Sequence, residues 1–371
     1  MAFNVNNMLE VVIEFEVEKG GFMEFPCVEM CTLTELNMTE SVKFHVPLLY
    51  LQLEDGIGFF TKFPFIDGCR IRITILINSK TFQRVEFRVF NHNTILTRMG
   101  QTVTIDAYLN CPKYWFTSSC AGYRGSTSQV IKQIAETCGF GTDCDSTQDS
   151  QLWMQGNMTY AEFVKYLTQR GFGGKGSYMM SGLTLSQSLV YKNVNKLPDS
   201  GVKVATFTQS EGFFLATDFS INSNSGLNNG GGGGYASLMR MQTTSETKDT
   251  TYKTIDVKKK ESNVNIDIDL VSEVQRSKVL FSHFNPEQSA NLWEGVYQND
   301  RYSRLYTINC NMIINSPTPL TLLTPYTLSA YNAEGVVDTQ NSGTYIVDTR
   351  CMIIRGNKYG ERITACRMGV N

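Results

Sequence analysis

Histidines and closely spaced acids are the residues of this sequence that could transfer protons or bind a metal ion. The three histidines are far apart: His45, His92 and His283. Two pairs of aspartates alternate along short stretches: Asp143 with Asp145, and Asp267 with Asp269. Isolated histidines and alternating acids are typical of surfaces and core edges, and neither H-E-x-x-H nor G-x-S-x-G occurs. We therefore predict no catalytic, cofactor-binding or metal-binding residues, and no enzyme activity.

Cysteines are the other group that could carry chemistry, through disulfides or a zinc site. There are ten of them: Cys27, Cys31, Cys69, Cys111, Cys120, Cys138, Cys144, Cys310, Cys351 and Cys366. Most lie in apolar or strand-like surroundings, and neither Cys27/Cys31 nor Cys138/Cys144 has the C-x-x-C spacing of structural zinc sites. The sequence indicates small buried thiols in a reducing compartment rather than metal ligands.

Composition and charge argue against several broad classes of function. The 371 residues carry a formal net charge of −2, so there is no overall attraction to nucleic acid or to an anionic membrane. The first residues, MAFNVNNMLEVVIEFEV, have no basic region, and glutamates interrupt their apolar run. We expect neither a signal peptide nor a membrane anchor. The length allows two or three domains.

Short runs of alternating polar and apolar residues dominate the first third of the chain. The four clearest are VVIEFEV (11–17), RIRITILI (70–77), RVEFRVF (84–90) and VTIDAYL (103–109). A period of two predicts antiparallel strands with one buried face. Several such strands, separated by Gly- and Asn-rich breaks, predict a small barrel or sandwich.

Residues 113–175 change to a helical period and contain two well-delimited helices. Ser126 with Gln129, and Thr159 with Glu162, have the spacing of capping boxes. Apolar stripes follow each cap: Val130, Ile131, Ile134, Ala135 and Cys138 in the first, and Phe163, Val164 and Leu167 in the second. Met158 and Phe163 are spaced as a hydrophobic staple, and Gly139 and Gly171 predict the helix ends.

Strand-like runs return from Leu183 onward: LTLSQSLVYK, GVKVATFTQ and FFLATDFSIN. The stretch NSNSGLNNGGGGG (222–234) predicts a flexible loop, because it lacks the G-K-[ST] of a phosphate-binding loop and has little apolar surface to bury. A solvated KKKE run follows at 258–261, and Asn285-Pro286-Glu287 predicts the start of another helix. The last 29 residues predict two or three strands with a turn at Gly356-Asn357.

Three stretches in this order resemble the central hub proteins of bacteriophage tail baseplates, including T-even and Mu-like hubs and the hub part of the type VI secretion VgrG spike. They are GYRGSTSQVIKQIAETCGF (122–140), DSQLWMQGNMTYAEFVKYLTQRGF (149–172) and LVYKNVNKL (189–197). The D-x-Q-x-W element and the T-x-x-E-F-L helix ending in Arg match at Asp149, Gln151, Trp153, Thr159, Glu162, Phe163 and Arg170. Val164 stands where that family has Leu. The ending (343–371) also resembles the family, at Gly343, Tyr345, Val347 and the Gly356-x-x-Tyr359 turn.

The resemblance implies an α+β, mainly β fold with two similar antiparallel β-barrel-like tube domains, a small helical insert and an additional peripheral insertion. We expect a first tube domain at 1–112, the insert at 113–196 and a second tube domain at 197–371. A flexible Gly-rich loop and peripheral segment at about 221–303 would interrupt the second domain. The residues expected to hold the insert in shape are Trp153, Thr159, Glu162, Phe163, Leu167 and Arg170.

The function implied is structural. A homotrimer would form a ring that joins the six-fold tail tube to the three-fold spike. The implied partners are the tail tube protein, the spike or tail tip protein, the tape-measure protein and the baseplate wedge proteins, with DNA passing through the lumen without specific binding. The implied location is the distal tail of the virion, after assembly in the host cytoplasm.

Two alternatives stay open. One is a tail-associated cell-wall hydrolase that carries hub domains, although such an enzyme would be expected to add a catalytic domain of roughly 100–200 residues. The other is a type VI-like spike hub, which would be expected to carry the needle and its repeats in the same chain.

Overall fold

A computed structural model describes residues 9–18, 20–26, 31–64, 68–98, 100–174, 177–206, 212–223, 237–243, 250–256, 279–283, 308–332, 334–356 and 358–367. The glycine run at 230–234, the KKKE segment and the helix predicted to start at Asn285 lie outside these residues. Asn222 and Ser223, which we assigned to the flexible loop, belong to a strand instead.

The first β domain is built from seven strands and two single-turn helices. The strands are β1 (Leu9–Glu18), β2 (Gly21–Glu24), β3 (Cys31–Ser41), β4 (Leu48–Asp55), β5 (Arg70–Ile77), β6 (Lys80–Thr97) and β7 (Gly100–Leu109), and the helices are α1 (Phe59–Lys62) and α2 (Pro112–Trp115). The strands pair antiparallel in the order β3-β4-β7-β6-β5-β1-β2. All four alternating runs lie in strands, and Ile71, Ile73 and Ile75 are fully buried, as the period of two predicts.

The insert contains both predicted helices, and it also contains strands that the sequence did not suggest. Its elements are β8 (Ser118–Gly125), α3 (Thr127–Cys138), β9 (Gly141–Cys144), β10 (Gln151–Thr159), α4 (Tyr160–Arg170), β11 (Met179–Leu183) and β12 (Ser188–Asn193). Strands β8 and β10 form a two-stranded sheet, and β11, β12 and β9 form a three-stranded one. The run LTLSQSLVYK is the second half of a hairpin rather than one strand, because a turn at 184–187 separates β11 from β12.

The second β domain is a closed six-stranded barrel. Its strands are β13 (Lys203–Ala205), β14 (Phe213–Ser223), β18 (Ile308–Ile314), β19 (Pro325–Ser329), β20 (Gly343–Arg355) and β21 (Lys358–Arg367). Three further strands lie between β14 and β18 in the chain and form a sheet of their own. The order is β19-β13-β14-β18-β21-β20, and β20 returns to pair with β19. The pairs are antiparallel except those of β13, which runs parallel to both of its neighbours.

A separate small sheet lies in the predicted peripheral segment between β14 and β18. Its strands are β15 (Ser237–Thr243), β16 (Thr250–Asp256) and β17 (Val279–His283). β15 is the central strand, antiparallel to β16 and parallel to β17.

The two β domains repeat one strand plan in the same chain order. β1, β3, β4, β5, β6 and β7 of the first correspond to β13, β14, β18, β19, β20 and β21 of the second, and each pairing among these six first-domain strands has its counterpart in the second. β2, which pairs with β1, has no counterpart among the described strands of the second domain. The differences are the parallel orientation of β13 and the β13–β14 pairing, which has no counterpart between β1 and β3. The sequence resemblance therefore predicted correctly that the two domains are similar.

The repeat extends to the individual residue pairs. Each long hairpin closes at an equivalent pair, Thr97 with Gly100 in β6–β7 and Arg355 with Lys358 in β20–β21. The register shifts once in each hairpin, at Phe90 and at Asp348, which stand at the same distance from the turn. β3 and β14 also carry matching shifts, at Thr34 and Thr217. Because β-bulges bend and twist a strand, the two domains share their curvature as well as their topology.

The two domains join edge to edge through β3 and β20. The first residues of β20 pair with β19 and close the barrel, and after the shift at Asp348 the rest of the strand pairs antiparallel with β3. At the middle of this seam Met38 lies opposite Met352, and both are fully buried. The result is a single sheet of 13 strands that runs through both domains.

The hydrophobic core is continuous where the insert meets the first β domain. One cluster of buried side chains includes the first-domain sheet, both insert helices and Met352 and Ile354 of β20. The second barrel has its own cluster, around Tyr326 and Tyr345. A third cluster, which includes Met180 and Leu323, lies between the insert and the second barrel. The insert is therefore packed against both β domains.

Truncating the seam methionines tests whether the seam is a packed core. Met38→Ala and Met352→Ala should each lower the free energy of unfolding by ~2–5 kcal/mol, because each leaves a cavity. Since the two side chains face each other, the double variant should lose less than the sum of the two. Urea unfolding of the three variants measures this, and strictly additive losses would contradict direct packing across the seam.

Candidate functional site

The start of α4 has a complete capping box. Thr159 Oγ1 accepts a hydrogen bond from Glu162 N at 3.2 Å, and Glu162 Oε2 accepts one from Thr159 N at 2.8 Å. These hydrogen bonds hold the pKa of Glu162 below its ordinary value, because they favour the charged carboxylate. The helix predicted from Thr159 to Arg170 is confirmed.

Phe163 and Leu167 are the buried anchors of α4. Both are fully buried, and the Phe163 ring lies 5.5 Å from that of Tyr123 on β8 and 6.0 Å from that of Tyr166 on α4. Met158 packs against the same cluster, which is consistent with the predicted staple. The apolar face of α4 is thus fixed against the β8–β10 sheet.

The far end of α4 differs from the predicted pattern. Gly171 follows the helix in an extended conformation, with φ −65° and ψ 137°, rather than in the left-handed conformation of a helix-ending glycine. A Cβ at this position would overlap the hydroxyl of the buried Tyr191. Close packing therefore explains the glycine. Arg170 is exposed, and its guanidinium carbon lies 3.8 Å from the centroid of the Tyr166 ring.

Asp149 links the two helices of the insert. This buried carboxylate accepts hydrogen bonds from the backbone N–H and the hydroxyl of Thr127, at the start of α3, and from the backbone N–H of Phe172, just after α4. The two backbone nitrogens each lie 2.9 Å from a carboxylate oxygen. Negative charge at the N-terminus of α3 is also favoured by the helix dipole. Asp149 thus fixes where one helix begins relative to where the other ends.

Trp153 fastens the two-stranded sheet beneath the helices. Its buried indole donates a hydrogen bond from Nε1 to the carbonyl oxygen of Gly125 at 3.0 Å. Gln155, also buried, donates to the carbonyl oxygen of Met158 at 2.7 Å, just before the cap of α4. Gln151 lies at the end of the same sheet, opposite Gly125. Asp149 and Trp153 of the D-x-Q-x-W stretch thus contact the start of α3, and Gln155, just after the stretch, contacts the segment that leads into α4.

His45 of the first β domain lies beside the start of α4. Its imidazole bonds to the backbone of Ala161, and burial together with the nearby Lys165 lowers its pKa despite the opposing charge of Glu162. Its partners are thus those of a contact residue rather than of a catalytic base.

A buried group of charges lies where the insert and the two β domains meet. Arg350 of β20 lies between Glu40 of β3 and Glu361 of β21, with its Nη2 2.6 Å from Glu361 Oε1 and its Nη1 3.9 Å from Glu40 Oε1. Glu40 accepts a hydrogen bond from Leu185 N of the insert at 2.8 Å, and Glu361 accepts one from the Thr318 hydroxyl at 2.5 Å.

These charges are unequally satisfied. Burial raises the pKa of Glu40, against the attraction of Arg350 and the Leu185 hydrogen bond. The flanking carboxylates raise the pKa of Arg350, so the guanidinium stays charged despite its burial. Among the described residues Glu40 Oε1 has no hydrogen-bond donor, since Arg350 is too distant. Glu361 is therefore the close partner of Arg350, and Glu40 is the weakly held member of the group.

At Gly182 of β11 the insert lies close to both β domains. A Cβ here would lie 2.7 Å from Leu322 Cδ1 of the second domain and 3.5 Å from Val42 Cγ1 of the first. A larger residue at this position would therefore have to displace the side chain of Leu322.

Sequence reasoning found the caps and anchors of α4 but missed Glu40, Arg350 and Glu361. A signal was present, because Leu36, Met38 and Glu40 share one face of β3, and Arg350, Met352 and Ile354 share one face of β20. A charged residue at the core position of an alternating pattern indicates a buried ion pair. The partner could not be read off, because it depends on strand pairing.

The side chains described above make packing contacts, hydrogen bonds and ion pairs within the insert and between the insert and the β domains. Among the described residues, no group of three or more His, Cys, Asp or Glu side chains could hold a metal ion. Of the nine cysteines that the structure describes, six are buried, and desolvation raises the pKa of Cys138 and Cys144 to about 11, which keeps them as thiols. None of the described helices has the length and apolar character to cross a membrane.

Comparisons with known proteins find solved structures with a similar fold. No protein-family model matches the sequence, and a search of curated proteins finds no match. Among solved structures, the 43 kDa tail protein of prophage MuSo2 from Shewanella oneidensis aligns over 97% of this chain and 98% of its own, with a TM-score of 0.63 and 9% identity. A tail protein from Neisseria meningitidis MC58 aligns over 98% of both chains, with a TM-score of 0.60 and 6% identity.

The chain has the fold of these phage tail proteins. The likeness extends to a chain of the lidless PdpA–VgrG complex, which matches 99% of this chain and 66% of its own length, with a TM-score of 0.53 and 10% identity. At these identities the likeness concerns the fold. It agrees with the mainly β architecture predicted from the sequence.

The cap of α4 can be tested by substitution within this tail-protein fold. Thr159→Ala should cost ~1 kcal/mol of unfolding free energy, because the N–H of Glu162 loses its acceptor, whereas Thr159→Ser keeps that acceptor and should cost much less. Phe163→Ala should cost ~3–5 kcal/mol, because it leaves a cavity beside Tyr123. Chemical unfolding of the three variants measures this. Equal losses for Thr159→Ala and Thr159→Ser would contradict the cap.

Glu40 and Glu35 provide a matched test of a buried and a partly buried charge on one strand. Each lies opposite an arginine of β20, Arg350 for Glu40 and Arg355 for Glu35. Because the pKa of Glu40 is raised in the fold, the folded state holds its proton longer, and this residue's contribution to stability falls as pH rises from about 4.5. The pKa of Glu35 is lowered by Arg355, so the contribution of Glu35 to stability is lost as pH falls below about 4.5.

Over a range from about pH 3 to pH 8, Glu40→Gln should therefore gain stability relative to wild type as the pH rises above 4.5, while Glu35→Gln should lose stability relative to wild type as the pH rises towards 4.5. Urea unfolding across this range measures both differences. A difference between Glu40→Gln and wild type that does not change with pH would show that Glu40 is charged throughout.

Proposed function

We propose that this protein is a structural component of a phage tail, the trimeric central hub of the baseplate. In this role it joins the six-fold tail tube to the three-fold spike and surrounds the channel for DNA and the tape-measure protein. The observation that carries the proposal is the internal repeat of two β domains, joined by the β3–β20 seam.

The repeat suits a protein that connects two symmetries. Three copies of a chain with two similar domains present six similar domains to a six-fold tube, while the chain itself repeats three times for a three-fold spike. The differences between the domains would allow the lower symmetry on one side; among the described residues they include the sheet β15–β17 of the second domain, which has no counterpart in the first. The likeness in fold to a prophage tail protein, over 97% of this chain, supports a role in a phage tail.

The helical insert would act as a brace. α3 and α4 share a core with the first β domain, and the neighbouring insert residues Met180 and Gly182 contact the second domain. Trp153, Thr159, Glu162, Phe163 and Leu167 would hold this brace in shape, and Arg170 would cover its exposed end.

The proposed partners follow from this position. Tail tube protein would lie above the ring, the spike or tail tip protein below, tape-measure protein inside and wedge proteins outside. A net charge of −2 supports passage of DNA without tight binding, because a strongly cationic channel would hold phosphate. The protein would be assembled in the host cytoplasm and reside in the distal tail of the virion.

Native mass spectrometry of the purified protein tests the hub proposal against the hydrolase alternative. We expect a species of three times the 41.7 kDa chain mass, and no lysis when the same sample is run in a cell-wall zymogram. Clear lysis would favour the hydrolase. A chain that stays monomeric at its highest soluble concentration would contradict the trimer.

A further inference from the structure

The seam inside the chain shows how one tube domain binds the next. After the register shift at Asp348, the second half of β20 extends beyond its barrel and pairs with the outer edge of β3. The seam covers seven residue pairs, from Thr349 opposite Ser41 to Arg355 opposite Glu35. In structural terms, a strand of the second domain adds to the sheet of the first.

Each domain repeat contains both halves of this contact. The second half of β6 corresponds to that of β20, because both follow the equivalent register shifts and end at equivalent hairpin turns. β14 corresponds to β3, because both pair with their partner strand in the same register around Thr217 and Thr34. The chain therefore carries a second copy of each surface, on the first domain's β6 and on the second domain's β14.

These second copies have no partner strand among the described residues. Along Asn93–Thr97, β6 pairs with β7 on one side, and no described strand lies on the other. Along Phe219–Asn222, β14 pairs with β18 on one side only, since β13 reaches no further than Leu215. Residues 91–97, NHNTILT, contain no proline and none of the Lys, Arg, Asp or Glu charges that commonly protect exposed edges.

We propose that the second half of β6 in one copy of this chain pairs antiparallel with β14 of a second copy, in the register of the β20–β3 seam. This proposal deepens the trimeric hub proposed above and rests on it. The occupant is a second copy because this chain contains both complementary edges and already joins an equivalent pair within itself.

The equivalence fixes which residues meet. Ile354 lies opposite Leu36 in the seam, so Leu96 should lie opposite Phe219 of the second copy. In the same way, Thr94 should lie opposite Ile221 and Asn93 opposite Asn222.

The exposed apolar side chains agree with this register. Leu96 is 80% exposed, whereas its counterpart Ile354 is fully buried. Phe219 is only partly buried, whereas its counterpart Leu36 is fully buried. Pairing the two edges would therefore bury the most exposed leucine of the described residues against an aromatic ring.

This contact is head to tail. Each copy offers β6 to one neighbour and β14 to the other, so the contact does not saturate in a two-fold dimer but continues until a ring closes. Such a ring would repeat the domain-to-domain contact of the seam at every junction, alternately within and between chains.

Charge substitutions at the predicted pair test the contact. Leu96→Asp should raise the dissociation constant of the trimer at least tenfold, because it leaves a carboxylate against an apolar ring. Adding Phe219→Arg in the same chain should restore assembly, because each junction then brings the two opposite charges together. Leu152→Asp is the matched control, since Leu152 is an exposed apolar residue of β10, outside both edges. Native mass spectrometry over a dilution series measures all four proteins.

Disulfide trapping tests the register without depending on how Phe219→Arg folds. The seam pair Thr39 and Cys351 corresponds to Asn222 and Asn93, and its side-chain oxygen and sulfur atoms lie 3.2 Å apart. In a Cys120→Ser background, which removes the exposed native thiol, Asn93→Cys with Asn222→Cys should form an interchain disulfide under mild oxidation. Asn93→Cys with Ser220→Cys, two residues out of register, should form far less.

The outcomes separate this proposal from the hub proposal. A wild-type trimer that tolerates Leu96→Asp as well as Leu152→Asp and shows no Asn93–Asn222 disulfide would overturn the edge pairing while leaving the hub role standing. A wild-type chain that never trimerises would contradict both. Cross-linking of β6 only to tail tube protein in a mixture would show that the edge serves a different partner and would also overturn the proposal.

Discussion

Backbone pairing between β3 and the second half of β20 converts two β domains into one sheet, and most of the molecule is arranged around that seam. The shift at Asp348 allows one strand to close its own barrel and then leave it, because a bulge redirects a strand without ending it. The insert lies against the end of the seam, where Leu185 donates to Glu40. A seam made of main-chain hydrogen bonds is directional and stiff, which suits the structural role proposed above.

The buried charges at the seam answer a problem that apolar packing alone leaves open. A slip of one residue would turn every core side chain of β20 outward, so the hydrophobic pattern excludes it. A slip of two residues keeps the apolar faces together and is opposed only weakly by hydrophobicity. It would, however, separate Glu40 from Arg350 and place it opposite Met352 or, for a slip in the other direction, opposite Asp348. The Glu40–Arg350 pair thus costs desolvation but distinguishes the native register from its nearest competitor.

Features encoded by neighbouring residues could be predicted from the sequence, and features created by strand pairing could not. The capping boxes at Ser126 and Thr159 depend on residues three apart, and both are present. β8 was missed because SSCAGYRG is rich in small residues, and its pairing with β10 is what makes it a strand. The detailed repeat was hidden as well, because NHNTILT of β6 and TRCMIIR of β20 share little sequence. What they share is a register shift and a hairpin length, which exist only once the strands are paired.

An internal repeat that joins head to tail within a chain necessarily leaves one donor edge and one acceptor edge unused. A monomeric β protein would protect such edges with charges, prolines or a covering segment. Here β6 instead presents asparagines, threonines and an exposed leucine, residues that are compatible with water while the edge is free and with a sheet once it is covered. The same fold can thus remain soluble as a single chain and still carry the geometry of an assembly. Under the proposed edge pairing, the number of copies that closes a ring would follow from the angle between the two domains, to which the twist of the sheet across the seam contributes, so the contact inside the chain would influence the symmetry of the assembly.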